Sequence, residues 1–146
     1  DDGVGILTAR ALAETLGDDP DIDVIELAVG GITLMEHMTG YDRVIIIDAL
    51  WTPPEDVGQI VVFAAGELTE TLNTRSSHDV DLPTALRVGR SLGAVLPANE
   101  HIQIVAVTAN HVLDFGDEPT PAVRAAIPAA CAVVLRLLHL SITESV

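Results

Sequence analysis

The longest β-branched run of the chain ends in an acid. Val44, Ile45, Ile46 and Ile47 are followed by Asp48, Ala49 and Leu50. Such a run predicts a strand buried on both faces inside an α/β sheet. A carboxylate near the inner end of a buried strand loses several kcal/mol of hydration free energy unless it finds a partner. Ligands of open α/β sheets bind at the carboxyl ends of the strands. We therefore expect Asp48 either to cap the loop that follows the strand or to belong to a ligand-binding or active site.

Helical and extended patterns alternate along the rest of the chain. In chain order we predict a helix over 3–17, a strand over 22–29, a short helix over 34–38, strands over 44–50 and 59–64, a helix ending at 92, a strand over 102–107 and a helix over 120–140. This order predicts one domain, residues 1–146, with a three-layer α/β/α fold and a mixed, mostly parallel sheet. The short, proline-rich connection 52–56 cannot form a crossover helix, so strand 59–64 should pair antiparallel.

The chain opens on a helix cap, without the strand that usually precedes the first helix of such a fold. We therefore expect the first strand to be missing. A version that carried this strand should be more stable, because the strand would cover apolar neighbours.

Charge and composition exclude several classes of protein. The net charge is −15, from 22 acids against seven arginines and no lysine, so the surface repels phosphate backbones and nucleic-acid binding is not expected. Cys131 is the single cysteine and lies in an apolar helical pattern, which indicates a core position rather than a disulfide. Apolar stretches are interrupted by Arg or Pro, so we expect no membrane span and a cytoplasmic protein.

Two further residues stand at element ends, each with a purely structural alternative. Asp2 precedes the first helix, where an acid stabilises the helix N-terminus, so capping by Asp1 or Asp2 is the simpler interpretation. His78 lies in a polar loop before a helix, and taken alone it is a solvated histidine, with Ser77 or Asp79 capping that helix. Taken together, Asp2, Asp48 and His78 offer two carboxylates and one imidazole, a ligand set suited to nickel, zinc or manganese.

Four segments together resemble the nickel-iron hydrogenase maturation endopeptidases, over essentially the whole chain. They are Asp-Asp-Gly-Val-Gly at 1–5, Gly-Tyr-Asp-Arg-Val-Ile-Ile-Ile-Asp-Ala at 40–49, Ser-Ser-His-Asp-Val-Asp-Leu-Pro at 76–83 and Ala-Ala-Ile-Pro at 125–128. The combination of the Ser-Ser-His-Asp loop with a strand ending in Ile-Asp-Ala is specific to this family, whereas each segment alone would be weak evidence for the resemblance. The chain departs from the family pattern at 26–31 and 106–110, where the family has an Asp-Gly-Gly-Thr-type and a Gly-Ile-Glu-Pro-type segment.

The resemblance implies a peptidase that senses nickel in the immature hydrogenase large subunit and removes its C-terminal extension. It implies that Asp2, Asp48 and His78 form both the metal-binding and the catalytic set. The nickel would belong to the substrate, while zinc or cadmium could occupy the site in vitro. The expected partner is the large-subunit precursor, with no nucleic acid or membrane, and the protein is expected to be a monomer.

No serine or cysteine nucleophile is evident, so attack by water on a metal-polarised carbonyl is the simplest chemistry. Glu26 or Asp79 could orient the histidine or the water, and Gly30 and Gly31 could let a substrate tail pass close to the backbone. The alternatives are a non-catalytic Rossmann-like module that binds a metal or a nucleotide, and an inactive fragment.

Overall fold

Four helices and three strands make up the part of the chain that the computed structural model describes, which is residues 3–27, 30–67, 81–110 and 119–144. In chain order they are α1 (Val4–Leu16), α2 (Gly31–His37), β1 (Val44–Trp51), β2 (Ile60–Ala64), α3 (Leu82–Ser91), β3 (Ile102–Ala109) and α4 (Pro121–Glu144). Short 3₁₀ turns occur at Pro54–Asp56, Ala65–Glu67 and Asn99–His101. The predicted α/β fold is confirmed, and so are these seven elements.

The sheet is mixed and has the strand order β1-β3-β2. β3 is central and almost wholly buried, which agrees with its continuous apolar sequence. β1 lies at an edge, and its residues are half-buried or exposed. The expectation that β1 is buried on both faces is therefore wrong, because none of its residues is fully buried.

The predicted strand over 22–29 is not formed in residues 22–27, and residues 28 and 29 lie outside the described ranges. Val24 and Ile25 are partly exposed, at 38% and 47%. An extended segment becomes a strand only when its backbone groups pair with a neighbour, and this segment is not part of the described sheet. The apolar sequence alone could not show whether that neighbour exists.

The chain divides into two compact units, of which the first contains Asp1–Glu26, Ile47–Val61 and Val105–Val146. In this unit α1 packs against α4. Its core is a small-residue cluster of Val4, Val107, Ala109, Val123, Ala126 and Ala130. Cys131 lies at the margin of this core, where its thiol donates to the carbonyl oxygen of Thr8 at 3.8 Å and burial raises its pKa. Cys131 therefore acts as a half-buried packing residue.

The second unit contains Leu27–Ile46 and Val62–Ile104. Here α2 packs against α3, and Gly89 lets the two helices approach closely. A β-carbon at Gly89 would lie 2.6 Å from Sδ of Met35. On the far side of the contact, α3 exposes Arg87, Val88 and Arg90 to solvent.

The closing helix α4 is longer and more apolar than the sequence pattern suggested. Its Pro121–His139 stretch has a mean hydropathy of 1.6 and is long and apolar enough to cross a membrane, by length and composition only. The expectation that every apolar stretch falls short of a span is wrong on these two criteria. They do not distinguish a membrane helix from the core helix of a soluble protein, and one stripe of α4, Val123, Ala126, Ala130 and Val134, is buried against protein.

Candidate functional site

Asp48 lies on β1 with its side chain exposed. Its Oδ1 accepts a hydrogen bond from the backbone N–H of Ala49 at 2.8 Å. The argument that a buried strand imposes a desolvation penalty on Asp48 is therefore wrong, because the edge position of β1 leaves the carboxylate hydrated. An exposed carboxylate can meet an incoming cation without leaving an apolar core.

The N-terminus of α1 approaches β1 at Asp48. Gly3 occupies the N-cap position of α1, so neither Asp1 nor Asp2 is the capping residue that the sequence suggested. A β-carbon built on Gly5 would lie 2.5 Å from the carbonyl oxygen of Ile47 and 3.8 Å from Cα of Asp48. The absence of a side chain at Gly5 therefore permits this close backbone approach, whereas a β-carbon built on Gly3 would meet nothing within 4 Å.

Asp2 itself lies outside the described residues. It precedes the N-cap residue Gly3 by one position in the sequence, and a β-carbon built on Gly5, three residues after Asp2, would lie 3.8 Å from Cα of Asp48.

The helix that follows His78 is capped by Asp81, whose Oδ1 accepts from the N–H of Thr84 at 2.8 Å. This hydrogen bond from the backbone of Thr84 holds the pKa of Asp81 below its ordinary value. Capping by Ser77 or Asp79 is therefore wrong: helix α3 begins at Leu82, with Pro83 in its first turn. The Asp-x-x-Thr spacing ahead of an apolar run was the signal for this cap.

The predicted convergence of Asp2, Asp48 and His78 stays a prediction, since Asp2, His78 and Asp79 lie outside the described ranges. Within 3–27, 30–67, 81–110 and 119–144, no group of three His, Cys, Asp or Glu side chains is placed to hold a metal ion. Of the three predicted ligands, only Asp48 is described.

The auxiliary residues named from the sequence have other contacts. Glu26 accepts from Nε of Arg10 on α1 at 2.9 Å, and this ion pair is largely exposed. Gly30 is the N-cap of α2 and Gly31 is a buried residue of its first turn. Gly30 and Gly31 therefore begin a helix, and Glu26 ties the preceding segment to α1.

Two polar residues that the sequence did not single out tie the carboxyl end of β3 to the connection between β1 and β2. The Thr108 hydroxyl, 4% exposed, donates to the carbonyl of Asp56 at 2.6 Å and accepts from the N–H of Gln59 at 2.8 Å. Asn110 donates through Nδ2 to the carbonyl of Thr52 at 2.9 Å. Both lie in the 106–110 segment where the family pattern is not kept, so this stretch has a structural role here.

Residues 6–137 match the family model of the hydrogenase maturation proteases, HycI. A search of curated protein sequences finds no match.

Solved structures agree on the fold. An endopeptidase from Escherichia coli, determined in solution, is similar with a TM-score of 0.75 at 24% identity, covering 96% of this chain and 85% of that one. The [NiFe] hydrogenase maturation protease HybD from Thermococcus kodakarensis gives 0.65 at 23% identity, over 93% and 88%. The hydrogenase maturating endopeptidase HybD from E. coli gives 0.60 at 21% identity, over 96% and 85%. At these identities the likeness establishes the shared fold.

Proposed function

Because the chain belongs to the hydrogenase maturation protease family and is a peptidase, we propose that it cuts the immature large subunit of a nickel-iron hydrogenase once, near its C-terminus, after nickel has been inserted. The family match over residues 6–137 supports this assignment. We further propose that Asp2, Asp48 and His78 bind the nickel carried by the substrate.

The close approach of α1 to β1 is the observation that carries the proposed site. A β-carbon built on Gly5 would lie 3.8 Å from Cα of Asp48, so the first turn of α1 lies beside the strand position that carries Asp48, and Asp2 precedes Gly5 by three residues in the chain. Asp48 is exposed and able to receive a ligand.

Hydrolysis adds one water across one peptide bond: the hydroxyl joins the carbonyl carbon, the carbon–nitrogen bond breaks, and the new amine takes a proton. The two carboxylates and the imidazole would fix the nickel-bearing part of the precursor, so that the scissile bond beside it is presented in one register. Because the enzyme would bind its substrate through the nickel ion, it would cleave only precursor that already holds nickel.

Cleavage of loaded and empty precursor tests this function. The purified chain should remove one small C-terminal fragment from nickel-loaded large-subunit precursor, seen as a single mass loss by mass spectrometry, and should leave nickel-free precursor intact. Cleavage of both forms at equal rates would contradict nickel sensing, and cleavage of neither would contradict the function.

Substitution at the proposed ligands tests the site. Asp48→Asn and His78→Ala should each abolish processing of loaded precursor while changing the unfolding free energy by less than about 0.5 kcal/mol, since Asp48 is exposed and the polar sequence around His78 predicts little contribution to the core. Asp42→Asn, another exposed acid, is the matched control and should process normally. A His78→Ala variant that cleaves at a near-normal rate would remove His78 from the site.

We also propose that the protein acts in the cytoplasm as a monomer. Its one cysteine is a packing residue, which suits a reducing compartment, and a net charge of −15 opposes self-association.

A further inference from the structure

We draw no further inference here: the strongest candidate, the exposed face of α4 that carries Ala122, Ala125, Ala129 and Ala132, is an apolar surface for which nothing in the described part of the chain shows what covers it.

Discussion

At the scale of single residues, Gly5 decides how closely α1 approaches β1. A β-carbon there would meet the Ile47 carbonyl oxygen at 2.5 Å, and a backbone atom cannot swing aside as a side chain tip can. Gly5→Ala should therefore lower the unfolding free energy by about 1–3 kcal/mol, despite the better helix propensity of alanine. Denaturant unfolding measures this change. Gly3→Ser, which meets open space at an N-cap, is the control and should leave stability equal or higher.

Thr108 is the second residue whose role follows from its contacts. Its buried hydroxyl bonds the carbonyl of Asp56 and the N–H of Gln59, so valine of the same shape would leave both without this partner. We expect Thr108→Val to lower the unfolding free energy by about 1–3 kcal/mol. Thr15→Val, which removes an exposed hydroxyl bond on α1, should change it by less than about 0.5 kcal/mol. Equal effects of the two substitutions would contradict the bridging role of Thr108.

At the scale of elements, α3 begins where it does because Asp81 caps it. The hydrogen bond from Thr84 lowers the pKa of Asp81 in the folded state, so the folded protein binds this proton less readily than the unfolded chain. The stability that the Asp81 carboxylate contributes is then present above about pH 4 and is lost as the pH falls through the lowered pKa.

Melting temperature against pH tests this cap. Asp81→Asn keeps a capping acceptor at every pH, so its melting temperature should fall less than that of wild type between pH 6 and about pH 3. Asp18→Asn, an exposed acid beyond the end of α1, removes the same charge without a cap and should follow wild type. Identical pH curves for wild type and Asp81→Asn would contradict the role of Asp81.

Strand β1 shows what periodicity alone leaves open at this scale. The run Val44–Ile47 correctly predicts a strand, but the same run suits a strand with neighbours on both sides or an edge strand. The segment 22–27 shows the reverse: its sequence suits a strand, yet it takes no place in the described sheet. Which strands pair with one another therefore depends on the tertiary structure and cannot be read from the local sequence.

At the scale of the whole molecule, charge is the dominant physical property. With 22 acids and seven arginines, repulsion between surface carboxylates opposes the folded state. Salt should relieve it: the melting temperature at pH 7 should rise from low salt to about 0.15 M, where the Debye length is about 8 Å, and then level off. A melting temperature that is independent of salt would show that the carboxylates are too far apart to repel one another.

The sequence by itself determined the order of the seven helices and strands of the described residues, the end of α3 before Gly93, and the family. Each of these depends on local pattern or on short sequence motifs. It also singled out Asp48 and the segment 1–5 that contains Gly5. Tertiary structure decided which strand is central, that Asp48 is exposed, and that Gly5 lies against the backbone of Ile47. These depend on which distant segment lies alongside, since burial, pairing and hydrogen-bond satisfaction are set by neighbours in space and not by neighbours in the chain.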